Sequence, residues 1–175
     1  MANWKISRSV IALSLLFASV ATVHSAEIAN LGLTFGQPAD DEVGPGGTVF
    51  LTCGVSEDGQ ENICNPYQGD TLCSAPRPLL CFIDLDAPAP AYLESSRNWS
   101  SGLVAVTDAV PGDRFKTIGD ADAYCAQNFG KDWRVASFHD GGGGWALSAY
   151  GSAGAPNGRV WVDIKNQSSG TCWSR

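Results

Sequence analysis

Six cysteines constrain this chain more than any other feature, because each disulfide fixes two separate segments against each other. In an exported protein an even count predicts a disulfide framework, here of three bridges, and six cysteines allow fifteen pairings. A zinc site is disfavoured, since the paired CxxC spacing of zinc sites is missing. Spacing alone leaves the partners of the first four cysteines open. The six are Cys53, Cys64, Cys73, Cys81, Cys125 and Cys172.

The first 26 residues have the features of an export signal. Lys5 and Arg8 form a short positive region, and the uncharged stretch 10–23 that follows is too short to span a bilayer. The small residues Ser25 and Ala26 suit a cleavage site. We therefore predict a signal peptide at residues 1–26, no membrane span after its removal, and a secreted, periplasmic or extracellular protein.

The chain that would remain is of single-domain size and acidic. Cleavage after residue 26 leaves 149 of the 175 residues, with nine basic and 18 acidic side chains and a net charge of −9. This length is sufficient for a real hydrophobic core. Scattered basic residues in an acidic chain argue against nucleic acid and anionic membrane surfaces as partners.

Two segments differ in patterning. Residues 27–78 are rich in glycine, proline and acids, which predicts a β- and turn-rich piece, whereas residues 79–175 alternate more regularly. Asn157-Gly158 is a strong turn signal between the last two strand candidates. The strand candidates are Thr48–Val55, Leu79–Leu85, Leu103–Thr107, Arg134–Phe138, Trp145–Gly151 and Arg159–Lys165.

One short amphipathic helix is predicted after residue 117. Thr117 suits the N-cap and Asp120 the N3 position of a capping-box variant, while Gly130 suits a left-handed helix stop. The residues that share the apolar face are Ile118, Ala121, Cys125 and Phe129.

This helix precedes the last strands, and Cys172 lies near the end of the chain. The arrangement favours a disulfide between Cys125 and Cys172. Such a bridge would stabilise the fold by about 4 kcal/mol on the chain-entropy model. In the last strand, Val160, Val162 and Ile164 face one way and Trp161 and Asp163 the other.

The run ADAYCAQNFGKDWRVASFHD (residues 121–140) resembles the cysteine-bearing helix and following strand of the C-type lectin-like fold. RVWVDIKNQ (residues 159–167) is similar to that family's core strand, and Cys172 lies where the family's last cysteine pairs with the helix. The resemblance covers about Leu79 to Trp173. The same run of residues also resembles a pattern of exported bacterial proteins of unassigned function. The lectin-like resemblance implies an α+β domain at residues 79–175, with one helix and antiparallel strands.

The calcium motif of the sugar-binding members is incomplete. Their EPN or QPD triplet and WND motif correspond here to APN (residues 155–157) and WVD (residues 161–163). The chain between the glycine run and the last strand is also short. The resemblance therefore implies a compact variant that lacks the long calcium loop.

An immunoglobulin domain is the alternative fold. GGTVFLTC (residues 46–53) is similar to an immunoglobulin B strand. However, Tyr124 lies one residue before Cys125 rather than two, and Trp99 lies far beyond Cys53. Pairing of Cys125 with Cys53 would favour this alternative.

The candidates for chemistry lie in RVASFHDGGGGWALSAYG (residues 134–151). His139 is the only histidine after the predicted cleavage site, and Asp140 follows it. A hydrolase would use His139 as its base, but no GxSxG elbow is present and adjacent residues of an extended segment point apart. Metal sites at His139, Asp140 and Asp163, or at Asp120, Asp122 and Asp140, lack a spacing motif.

We accordingly predict no catalytic residue, metal or cofactor, and interpret the glycines at 141–144 as a permissive turn. The expected function is non-catalytic binding of a glycan or protein surface without calcium. There are two alternatives: a secreted hydrolase that uses His139 and Asp140, or a structural protein of an envelope or matrix. The sequence leaves the oligomeric state open. The candidate ligand-binding residues are His139, Asp140, Trp145, Tyr150 and Asn157.

Overall fold

The computed structural model describes residues 30–38, 44–54, 64–94, 96–154 and 158–175. The predicted signal peptide and Asn157 lie outside these ranges. The strands are β1 (Leu31–Gly32), β2 (Thr34–Gly36), β3 (Thr48–Thr52), β4 (Thr71–Leu72), β5 (Pro76–Arg77), β6 (Leu80–Asp84), β7 (Trp99–Val106), β8 (Val110–Pro111), β9 (Arg134–Val135), β10 (Ala146–Gly151) and β11 (Arg159–Trp161). The helix α1 spans Ile118–Phe129, and short 3-10 turns cover Pro45–Gly47, Ala91–Leu93 and Gly112–Arg114.

A seven-stranded mixed sheet organises the fold, in the order β11-β2-β3-β10-β7-β6-β9. The β10–β7 pair is parallel and the other pairs are antiparallel. The two edges of the sheet meet, because Asp163 N donates to Ala136 O and Phe138 N donates to Asp163 O, both at 2.8 Å. The sheet therefore curls around its inner face.

Two hydrophobic clusters fill the two sides of this sheet. The inner cluster includes Leu51, Phe82, Leu147 and Val160. The outer cluster lies between the sheet and α1 and includes Trp161. The predicted alternation of the last strand is confirmed, since Val160, Val162 and Ile164 lie in the inner cluster and Trp161 lies in the outer one. The regular strand itself ends at Trp161.

The start of α1 matches the sequence prediction. Thr117 is the N-cap, its side chain accepts from Asp120 N, and the Asp120 carboxylate accepts from Thr117 N at 3.0 Å. Ala121 and Cys125 are buried. The predicted left-handed helical stop is wrong in detail, because Gly130 has φ 129° and ψ 162°. The positive φ still favours glycine at this position.

The predicted Cys125–Cys172 disulfide is wrong. Cys125 bonds to Cys81, and Cys172 bonds to Cys73 across 99 residues of sequence. The physical reason is that α1 packs over β6, where Cys81 faces the helix and its neighbours Leu80 and Phe82 face the inner cluster. The Cα atoms of Cys81 and Cys125 are 5.6 Å apart, an ordinary spacing for a bridge.

The third disulfide joins Cys53 to Cys64. The pairing that would have favoured the immunoglobulin alternative is thus absent among the described cysteines, and Cys125 lies on a helix rather than a strand. The main sheet also crosses the boundary proposed between residues 78 and 79, since β2 and β3 come from the first segment.

The α+β class agrees with the structure, which has one α-helix in the described ranges and most of its regular structure in strands. The expectation of antiparallel strands is wrong for one pair, because β10 and β7 run parallel. Five of the strand candidates contain β3, β6, β9, β10 and β11, whereas β7 begins four residues before its candidate. Within the described residues, no helix is long and apolar enough to cross a membrane.

Candidate functional site

Two glycines of the run between β9 and β10 have no room for a side chain. A Cβ on Gly141 would lie 2.0 Å from the carbonyl oxygen of Ala146. Gly144 has φ +67°, and its Cβ would lie 2.7 Å from the ring of Phe138. Glycine is required at both positions because the loop lies directly against the chain around it. Gly144 uses the conformational freedom that the permissive turn predicted, and close packing is a second reason for glycine that the sequence does not reveal.

Trp145 follows this run and combines exposure with an unusual backbone. Its side chain is 50% exposed, and its φ is +64°. Bulky residues rarely adopt this left-handed conformation, which costs on the order of 1–3 kcal/mol and tends to occur at ligand-binding sites. The carbonyl oxygen of Trp145 accepts from Cys53 N at 2.8 Å and from Thr52 Oγ1 at 3.0 Å. These two bonds to the end of β3 hold the residue in place.

Phe138 brings His139 and Trp145 together. Its buried ring contacts the His139 imidazole at a centroid distance of 5.0 Å and the Trp145 indole at 5.5 Å, both edge to face. On the inner side it packs edge to face against Phe35. His139 is exposed. We call Phe138, His139 and Trp145 the aromatic patch; its base belongs to the core and its two outer rings face solvent.

Asp140 points away from solvent and holds the loop. Its side chain is 7% exposed, and both oxygens accept hydrogen bonds from Arg134 at 2.8 Å. Ser137 N donates to it at 2.7 Å and Lys165 Nζ at 3.2 Å. Burial favours a higher pKa for Asp140, but the hydrogen bonds and charge of Arg134 outweigh it and lower the pKa.

Arg134 is fixed in turn by its surroundings. Its guanidinium carbon lies 4.8 Å from the centre of the Phe82 ring, a cation–π distance. Burial disfavours the charged form, yet the hydrogen bonds and charge of Asp140 raise the pKa of Arg134 above its usual value. Asp140 is therefore engaged in a structural ion pair, and its carboxylate is not offered to a ligand.

The His139–Asp140 pair does not form a catalytic dyad. Among the described residues, the imidazole nitrogens of His139 make no hydrogen bond to Asp140, whose oxygens are taken by Arg134, Lys165 and Ser137. The geometry thus lacks the base–carboxylate contact that a hydrolase uses to orient its histidine.

The other carboxylates considered as metal ligands are also engaged. Asp120 caps α1, Asp122 accepts from Val135 N at 2.8 Å, and Asp163 accepts from Arg175 at 2.9 and 3.0 Å. Burial raises the pKa of Asp122.

In one group of described residues, three potential metal-ligand atoms lie within 4.8 Å of one another; the residues are Cys53, Cys64 and Asp70. Its two sulfurs are joined as a disulfide, which removes the thiolates a metal would need. The Asp70 carboxylate lies 3.3 Å from the fully buried Arg159 and accepts from Thr34 Oγ1 at 2.7 Å. This donor set does not fit a metal ion.

Tyr150 lies on the other face of the sheet from the aromatic patch. Leu147 and Ala149 of β10 enter the inner cluster, so the alternating Tyr150 faces outward, where its ring contacts Trp99 at 5.0 Å. The structure therefore does not place Tyr150 in one site with Trp145.

Beside Tyr150, an outer pocket of about 370 Å³ lies between β3 and the 3-10 turn at Ala91–Leu93. Thr48, Phe50 and Tyr92 line it, and the Tyr92 hydroxyl donates to Pro45 O at 3.0 Å. Tyr92 carries no signal in the sequence, because its proline-rich surroundings indicate only an extended connector.

Comparisons of the chain with protein-family models, with curated proteins and with solved structures gave no match.

Proposed function

We propose that this protein is a non-catalytic glycan-binding module that uses the aromatic patch and needs no calcium. One observation carries the proposal: Trp145 is half-exposed although its backbone is held in a strained, left-handed conformation. An indole ring fixed in this way offers a flat apolar surface at little cost in conformational entropy on binding. The C–H face of a sugar ring is a suitable partner for such a surface.

The polar part of the proposed site is His139. Its imidazole lies on the same supporting ring as Trp145 and carries both a hydrogen-bond donor and an acceptor in the neutral form. Sugar hydroxyls can use both. A ligand that stacks on Trp145 would therefore find a polar group beside the stacking surface.

Calcium independence follows from the state of the carboxylates. Among the described residues, Asp140 follows His139 in the chain and Asp163 O accepts from Phe138 N, and both carboxylates are paired with arginines. A bound calcium ion needs several oxygen ligands, which here would have to leave these ion pairs. Sugar binding through calcium is therefore disfavoured at this site.

The C-type lectin-like assignment for residues 79–175 is part of the proposal. It is supported by the cysteine-bearing helix packed on the sheet. The Cys81–Cys125 pairing departs from the family pattern that the sequence resembles. We also propose export to an oxidising compartment, which is where three disulfides would persist.

The test is a glycan array followed by calorimetric titration of the best ligand, with and without a calcium chelator. We expect binding to survive chelation and to weaken about fivefold or more in Trp145→Ala, since a stacked aromatic at the centre of a site contributes on the order of 1–3 kcal/mol. Tyr67→Ala is the matched control, because Tyr67 is another exposed aromatic residue outside the patch. A silent array, or equal binding by both variants, would refute the proposal.

A further inference from the structure

A second cavity, of about 500 Å³, lies beside the start of α1 and shares no lining residue with the aromatic patch. Asn30, Lys116, Ser168 and the residues 171–175 line it. Its size falls within the range of small-molecule sites. We call it the C-terminal pocket.

Hydrogen bonds fix the walls of the C-terminal pocket. Ser174 N and Ser174 Oγ both donate to Lys116 O, at 3.0 and 2.9 Å, and Ile118 N donates to Ser174 O at 2.9 Å. The indole N–H of Trp173 donates to Gly112 O at 2.9 Å. The Cys73–Cys172 disulfide anchors the same segment to the rest of the chain. The pocket is therefore preformed, and a ligand would not need to order it.

The charged side chains that line the C-terminal pocket are both cationic. Lys116 and Arg175 are the charged side chains that line it, and no aspartate or glutamate is among the described lining residues. This is notable in a chain of net charge −7. Across the described ranges, Lys116 has no carboxylate within ion-pair distance, although its charge helps to lower the pKa of Asp120. Its ammonium group therefore keeps its hydrogen-bond donors for a ligand.

The carboxylate of Asp163 holds the guanidinium group of Arg175. Its Nη2 binds both oxygens of Asp163, whose side chain is only 5% exposed. The same nitrogen also donates to Ile164 O. Within the described residues these contacts use one of the three guanidinium nitrogens, so Nε and Nη1 keep donors for a ligand.

From this arrangement we propose that the C-terminal pocket binds a carboxylate-bearing small ligand, either a sugar acid or a free organic acid. Lys116 supplies a point charge, and the guanidinium of Arg175 supplies directed donors. The remaining polar groups of the ligand would form hydrogen bonds with the hydroxyls of Ser168 and Ser174 and the side-chain amide of Asn30. The site uses other residues than the aromatic patch and does not depend on the proposed function.

The experiment is an NMR titration of the ¹⁵N-labelled protein with D-glucuronate, with D-glucose as the neutral match and acetate as the bare carboxylate. We expect glucuronate to shift the amide signals of Lys116 and Ser174 and the indole signal of Trp173. Glucose should not shift them. If acetate binds as tightly as glucuronate, the ligand class is a free organic acid. If acetate binds more weakly than glucuronate, the ligand class is a sugar acid.

Two variants test the role of the charge. Lys116→Ala should weaken glucuronate binding about tenfold or more, as expected for the loss of a charge-assisted hydrogen bond. Lys131→Ala removes the same charge from an exposed site elsewhere and should leave binding unchanged. Ser168→Asp places a negative charge on an exposed lining position and should abolish binding.

Unaltered melting temperatures of the variants would show that they fold. Equal binding of glucose and glucuronate, an equal loss in Lys116→Ala and Lys131→Ala, or shifts that map outside the pocket would overturn the proposal.

Discussion

Replacing Asp140 by asparagine tests whether this residue is structural. The substitution keeps the shape of the side chain and an acceptor for Ser137 N, but it removes the charge that pairs with Arg134 and Lys165. Removing one partner of a fully buried pair costs about 3–5 kcal/mol. Here the cations are 33% and 48% exposed and can recover some hydration. We therefore expect the free energy of unfolding to fall by about 2–3 kcal/mol.

The assay is urea denaturation with the disulfides intact, followed by tryptophan fluorescence and circular dichroism. In a domain of this size, a loss of about 2–3 kcal/mol corresponds to a fall in melting temperature of about 4–12 °C. Asp132→Asn is the control, because it removes the same charge from an exposed position nearby. If both variants were equally stable to within about 0.5 kcal/mol, Asp140 would not hold the loop and its structural assignment would be refuted.

Three further predictions follow from the described contacts. The pKa of Asp140 is lower in the folded than in the unfolded protein, so its carboxylate stabilises the fold fully above the unfolded pKa of about 3.9. This stabilisation is lost as the pH falls through the folded pKa. The stability deficit of Asp140→Asn at pH 7 should therefore shrink at pH 3, measured as the difference in urea midpoint. Gly144→Ala should lower the free energy of unfolding by about 2–4 kcal/mol, whereas Gly47→Ala, which shares a positive φ but has open space around its Cβ, should cost about 1 kcal/mol. Peptide mapping under non-reducing conditions should recover the Cys73–Cys172 bridge, and its removal by paired serines should cost about 4–5 kcal/mol on the chain-entropy model; a Cys125–Cys172 peptide would contradict the fold.

Local signals made the helix predictable. Thr117 and Asp120 form their capping box within four consecutive residues, so that neither depends on distant parts of the chain. The alternation of Val160, Trp161 and Val162 likewise determines which side chains share a face, whatever lies against each face. These features were correct because their physical causes lie within a few residues.

The features that failed depend on packing between distant segments. Cys81 meets Cys125 because α1 packs over β6, and spacing along the chain contains no information on that choice. Asp140 was a candidate ligand residue, yet Arg134 and Lys165 converge on it from separate parts of the fold. The C-terminal pocket joins Asn30, Lys116 and Arg175, which are too far apart in sequence to be recognised as one group.

The central claim is that ligand binds at Trp145, and the most direct measurement follows the tryptophan indole N–H signals during titration with the glycan selected on the array. The indole signal of Trp145 should shift in proportion to saturation, because its ring is half-exposed at the proposed site. The signals of Trp161 and Trp173 should stay in place, since both rings are buried on the helix side of the sheet. Shifts at Trp99, beside the outer pocket, with an unchanged Trp145 signal would place the glycan on the other face of the sheet and contradict the account.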